Sequence, residues 1–279
     1  MRRALPALIA LALAAGSGAG AHAAQARLEP IWTLTGLEDP ESVALSADGT
    51  ELYVTNVAGE GDAKDGRGFI SRVSLDGRLI EKAWVAGLDG PKGAAVAGDR
   101  LYVSDITRLA VIDTRAGRVV ATHEAPGAGF LNDVAITPGG LVLVADSARA
   151  RIYRLQDGVM TIWAEAPALA AVNGLLPEPE RLVVTTMAGK LLAMDYRTQA
   201  ITVLAEGLGD GDGAARLDDG SYLVSEWPGR LFQVAADGEV TTLIDSRPAG
   251  IYINDFIRLG ERLIVPNWKP GSLTAYRIR

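Results

Sequence analysis

Short runs of apolar residues, four to seven long and rich in Val, Leu, Ile and Tyr, alternate along the chain with Gly, Asp and Pro turn residues. Runs of that length and composition predict β-strands, and turns such as Asp48-Gly49, Pro138-Gly139-Gly140 and Asp219-Gly220 separate them. One unit recurs about every forty residues: an inner strand opened by a polar residue, a second strand that ends on one, then a third and a fourth. The second strands are Leu52–Asn56, Leu101–Asp105, Val142–Asp146, Leu182–Thr186, Tyr222–Glu226 and Leu263–Asn267. Apart from a short stretch near Ala164–Leu169, no helical period persists.

Four short strands per unit, repeated six times, predict an all-β chain folded as a six-bladed β-propeller. The last unit has only three strands before Arg279, and an open blade edge would expose unpaired backbone groups. Leu28–Leu34 precedes the first unit and has no other partner, so it is expected to complete the sixth blade and close the ring. Pro30 suits such an edge strand.

Counting back 13 to 15 residues from the end of each second strand reaches Glu41, Lys92, Asn132, Asn173, Asp212 and Asn254. They follow one another at intervals of 51, 40, 41, 39 and 42 residues, the first lengthened by the insertion Gly59–Gly68. Inner strands line a propeller's channel, so these six polar residues are expected to converge on its axis. Glu41, Asn132, Asn173, Asp212 and Asn254 would present hard oxygen donors with a total charge of −2. That set suits a divalent cation, most naturally calcium, with magnesium, manganese or zinc as alternatives, zinc being the poorest match to an all-oxygen ring. Lys92 would either stabilise a developing oxyanion or pair with a ring carboxylate. Asp105, Asp146 and Glu226 are expected around the mouth, with Trp227 and Trp268 holding an apolar substrate or packing over the blade edges.

Composition narrows the chemistry. The 279 residues include no Cys and two His, His22 and His123, which leaves no thiolate chemistry and little scope for histidine catalysis. With 27 basic against 34 acidic residues the chain carries no electrostatic footprint for nucleic acid. Arg2-Arg3, the apolar run Leu5–Ala15 and the Ala21-His22-Ala23 pattern predict a signal peptide over residues 1–23, a propeller over 24–279, and a periplasmic or secreted product. The apolar run is too short to span a membrane, so no membrane association is expected after cleavage.

Phe130-Leu131-Asn132-Asp133, Val172-Asn173-Gly174-Leu175 and Asp212-Gly213-Ala214 resemble motifs of the senescence marker protein / gluconolactonase / luciferin-regenerating enzyme family. The resemblance implies a six-bladed propeller with one divalent metal in its channel, held by Asn132, Asn173, Asp212 and a Glu of the first blade, which counting assigns to Glu41 rather than Glu38. It also implies that Asp212 serves as general base or nucleophile in a lactonase or esterase. Phe130 stands where the family's sugar lactonases usually carry an Arg, which points to a more apolar small-molecule substrate, with Trp227 and Trp268 beside it. The competing expectation is a non-catalytic propeller of the NHL type, which binds a ligand or protein on its top face.

Overall fold

The structure, a computed structural model, describes residues 25–279. The expected signal peptide and His22 lie outside those residues. Six antiparallel sheets are arranged in sequence order. Blade one comprises Pro40–Leu45, Glu51–Asn56, Gly68–Ser74 and Leu79–Leu88, and blade two Pro91–Ala97, Arg100–Asp105, Arg108–Asp113 and Arg118–Glu124. Leu131–Ile136, Val142–Asp146, Arg151–Gln156 and Val159–Glu165 make blade three. Val172–Pro177, Arg181–Thr186, Lys190–Asp195 and Ile201–Glu206 make blade four. Blade five is Asp210–Arg216, Tyr222–Trp227, Arg230–Val234 and Val240–Asp245.

Blade six departs from the pattern. Its inner strand is split into Tyr252–Ile253 and Ile257–Leu259, both paired with Arg262–Lys269. Its outer strand is supplied by the other end of the chain: Leu28–Thr35 runs antiparallel to Ser272–Ile278, from Leu28 opposite Ile278 to Thr35 opposite Ser272. The register shifts between Pro30 and Trp32, where proline cannot donate to the ladder. Reciprocal bonds between the backbones of Arg27 and Arg279, at 3.0 and 2.9 Å, extend the seam. The closure expected from the sequence is the closure observed. Two short 3-10 turns, Pro167–Leu169 and Arg247–Ala249, are the helical segments among the described residues.

The core lies between blades. Strands in the middle of each sheet are buried on both faces, as in Val142–Asp146, while outer strands such as Arg118–Glu124 alternate exposed with half-buried residues. Tyr53, Ile70 and Val85 of blade one pack on Leu101, Val103 and Ile112 of blade two, and similar clusters fill the other junctions. The junction of blades six and one unites Ile264, Leu273 and Ala275 with Val43, Leu52 and Val54, and half-buried Trp32 and Leu34 pack against it.

Candidate functional site

Each inner strand starts at the upper face and shifts register within its first few residues. The shifts fall between Pro40 and Val43, Pro91 and Ala94, Leu131 and Val134, Val172 and Leu175, and Gly211 and Ala214. In blade six the break between the two short strands takes the same place. A bulge breaks strict alternation and re-aims side chains. The bulged pairs are Glu41-Ser42, Lys92-Gly93, Asn132-Asp133, Asn173-Gly174 and Asp212-Gly213, with Asn254-Asp255 in the blade-six gap. All six residues expected on the ring are buried, between 3% and 7% exposed.

Hydroxyls from the second strands replace the missing ladder bonds. The Ser42, Gly174 and Gly213 amides donate to Thr55 Oγ1, Thr185 Oγ1 and Ser225 Oγ, each at 2.8 Å. Ser104 and Thr185 in turn donate short hydrogen bonds to the carbonyls of Asn132 and Asp212 in the following blades. Glycine at the second bulge position is a matter of space: a Cβ on Gly174 would overlap the backbone carbonyl of Asp212. Gly174→Ala is expected to cost roughly 3 kcal/mol, at the upper end of overpacking penalties, because backbone rather than a flexible side chain must yield. Denaturant unfolding of the variant checks this.

The second bulge position also reveals residues that the spacing argument passed over. Asp133 and Asp255 follow ring asparagines, on blades three and six. With Glu41 and Asp212 they make four carboxylates in one channel, against Lys92 as the cation of the ring. Burial pushes all four above the ordinary carboxylate range, Asp255 to about 6 and Glu41 to about 8, and their mutual repulsion adds to the rise at Glu41, Asp133 and Asp212. Burial also lowers Lys92, against the attraction of Glu41.

Ring polar groups divide into tethered and open ones. Asn132 Nδ2 donates to Ser147 Oγ at 3.4 Å and Asn254 Nδ2 to the Pro40 carbonyl at 2.9 Å, which leaves their carbonyl oxygens as the groups to offer a cation. The neighbouring Asn173 side chain lowers the Asp212 carboxyl somewhat against its burial, while Asn173 Oδ1 is buried without a partner, as is Glu41 Oε2. Buried oxygens left open are costly, and they are what a cation would satisfy. Among the described residues no three of Asp, Glu, His and Cys stand together as a metal site by themselves. A cation here therefore needs the amide oxygens, which fits calcium and argues against zinc. The donor set fits the group.

Several sequence expectations need correction. Lys92 makes no ion pair with a ring carboxylate: Nζ donates to the Gly61 carbonyl at 3.0 Å and lies 4.6 Å from the centre of the Phe130 ring. The insertion thus folds back over the channel at Lys92, and Lys64 anchors it to Thr107 Oγ1 at 3.2 Å. Asp105, Asp146 and Glu226, expected around the mouth, are buried and engaged in structural contacts. Asp105 accepts from the Gly90 amide at 2.8 Å and Asp146 from the Phe130 amide at 3.0 Å, clasping the segments that enter the inner strands. Asn56 does the same for the Glu38 amide at 3.0 Å, and Glu226 is held by Arg230 at 2.8 Å. Glu38 itself pairs with Lys82 at the surface.

Phe130, Trp227 and Trp268, expected to share a pocket, do not line the largest of the described cavities. Phe130 is taken up by Lys92. Trp227 and Trp268 meet edge to face at 5.8 Å, which is packing between neighbouring blades, and Trp268 borders a shallow groove of about 320 Å³ with Asp39 and Arg67. A cavity of about 460 Å³ lies at the opposite, lower end of the channel, with Asp133 and Asp255 among its lining.

Comparison with solved structures aligns nearly the whole chain with virginiamycin B and streptogramin B lyases. Virginiamycin B lyase from Staphylococcus aureus, in selenomethionine-substituted form, has a TM-score of 0.64 and 14% identity, over 91% of this chain and 99% of that one. A catalytically inactive histidine-to-alanine variant of the same lyase, with quinupristin, gives 0.62 and 12% over 91% and 99%. A streptogramin B lyase gives 0.64 and 12% over 91% and 98%. The likeness is one of fold. No protein-family model matches the chain, and no curated protein does. The neighbours support the propeller; membership of the gluconolactonase-type family does not follow from them. Nor does a histidine mechanism: His123 sits on the outer strand Arg118–Glu124, and no described residue of the channel is a histidine.

Proposed function

We propose that the chain is an exported, cation-dependent hydrolase of small apolar esters or lactones, with one divalent ion, most naturally calcium, in the upper channel. The observation that carries this reading is the pair of open buried oxygens, Glu41 Oε2 and Asn173 Oδ1, in a channel of four carboxylates and one lysine. Glu41, Asn173 and Asp212 would hold the ion, with Asn132 and Asn254 completing the set through their carbonyl oxygens. A bound divalent ion supplies Lewis acidity toward a carbonyl oxygen and a more acidic water.

The protein's own groups supply the rest. Asp212, ionised once a cation neutralises the channel, is the base that removes a proton from the attacking water at its carboxylate oxygen. The neighbouring Asn173 side chain favours the charged form of that carboxylate. Lys92 Nζ keeps its charge free of a carboxylate partner, as an oxyanion stabiliser requires. Phe130 gives the approach an apolar surface and lacks the fork of donors that an arginine would offer to sugar hydroxyls.

A panel of aryl esters and lactones, assayed with calcium, magnesium and manganese, tests the reading. Metal-dependent turnover is expected, falling by roughly a hundredfold or more in Asp212→Asn, the range for loss of a general base. The alternative is an NHL-like propeller that binds a ligand or protein without chemistry. It draws support from the depth of the ring and the Gly61 carbonyl seated on Lys92, and tight cation binding without turnover would favour it.

A further inference from the structure

The lower vestibule has a composition of its own. Each blade contributes an apolar side chain to its wall: Val43, Ala94, Val134, Leu175, Ala214 and Phe256. At about 460 Å³ it falls within the range of small-molecule sites. Three acids line it: Glu178, paired with Arg181 at 2.7 Å and Arg216 at 3.4 Å, and, deeper in and from opposite blades, Asp133 and Asp255.

Asp133 and Asp255 are both held in place, and neither has a cationic partner. Asp133 accepts from the Val134 and Leu175 amides at 2.6 Å each, and Asp255 Oδ2 accepts from Ser42 Oγ at 2.7 Å. All these donors are uncharged. The arginines at the rim are turned elsewhere. Arg216 reaches Glu178 at 3.4 Å and lies over the Tyr222 ring, and Arg258 donates to the Gly260 and Arg216 carbonyls and to Asp218, all at 2.8 Å. The vestibule therefore presents two acids without a cationic partner at its inner end, inside an apolar sleeve.

That pairing selects a ligand. An anion is repelled. A bare metal ion would find two carboxylates already engaged with donors and hydrocarbon on the remaining sides, too few oxygens for a calcium shell. A protonated amine matches both features: its N–H groups make charge-assisted hydrogen bonds to the carboxylates, and its organic body fills the sleeve. We propose that the lower vestibule is a second binding site, distinct from the upper ring, for a small organic ammonium ion with a compact apolar body.

Titration calorimetry on the signal-free protein saturated with calcium tests this, with benzylammonium as the probe and benzyl alcohol and benzoate as controls. Benzylammonium should bind at least tenfold more tightly than the alcohol, and benzoate not at all. Asp255→Asn should weaken the ammonium at least tenfold while leaving the alcohol unchanged. Ala214→Phe, which narrows the sleeve without touching an acid, should block both ligands. The calcium-dependent rise in melting temperature, measured on each variant, reports an intact fold and an intact upper ring. Equal affinity for alcohol and ammonium, no ammonium binding at tens of millimolar, or displacement of the ammonium by further calcium would each overturn the proposal. None of those results bears on hydrolysis, so the two readings fail separately.

Discussion

Deleting residues 25–35 is expected to leave a chain that does not fold, although none of those residues touches the channel. The segment pairs along the whole of Ser272–Ile278 and brings Trp32 and Leu34 to the junction of blades six and one. Without it blade six ends on an open edge whose backbone groups have lost their partners, and the circle of packed blades is cut at one point. The loss combines a full ladder with apolar burial, so a cost above about 5 kcal/mol, beyond the ordinary range of point changes, is expected. Circular dichroism and size-exclusion chromatography would show an aggregated or molten product. Recovery of a cooperative melt on moving residues 25–35 to the C-terminus through a flexible linker would establish that the strand acts by pairing. A truncated chain that melts cooperatively at the wild-type temperature would contradict this account of closure.

The second large effect concerns the charges in the channel. Without a cation the four carboxylates are held above their ordinary values, so the native state binds more protons than the unfolded chain between the two ranges. Such groups favour the fold at acid pH, and their contribution is lost as pH rises through about 6 at Asp255 and about 8 at Glu41. The chelated protein is accordingly expected to melt several degrees lower at pH 8.5 than at pH 5. Calcium should reverse the trend. A ligand at a hundred times its Kd adds about 2.7 kcal/mol, which for a chain of this size corresponds to a rise of roughly 5–10 °C. Asp212→Asn separates the two effects. It removes one buried charge, so it should raise the melting temperature of the chelated protein at pH 8.5, yet it should abolish most of the calcium-dependent rise. Asn173→Ala should lose the rise without the gain. Scanning calorimetry with and without chelator reads all of these.

The repeat made the fold legible. Six second strands of similar length and a leftover strand at the N-terminus admit few arrangements, and each assignment supported the next. The split inner strand of blade six was less visible, because Tyr252-Ile253-Asn254-Asp255-Phe256 reads as one strand until pairing partners are known. Ring residues were found because a fixed distance from the second strand is a one-dimensional signal. Asp133 and Asp255 were missed because alternation assigns the residue after a ring position to the other face, and the bulges break that alternation. A clue did exist: glycine follows the ring residue in blades two, four and five, where a Cβ would strike the neighbouring blade. An aspartate or serine in the same slot of the other three blades then had to reach into the channel. The contacts of Phe130, Trp227 and Trp268 depend on loop geometry and on the insertion, which no spacing rule encodes.

A crystal grown with manganese in place of calcium, with anomalous data collected at the manganese edge, examines the central claim most directly. One peak is expected in the upper channel, bonded to oxygens of Glu41, Asn173 and Asp212 and absent from crystals of Asp212→Asn. A channel with no peak at saturating metal, or a single peak bonded only to Asp133 and Asp255, would contradict it.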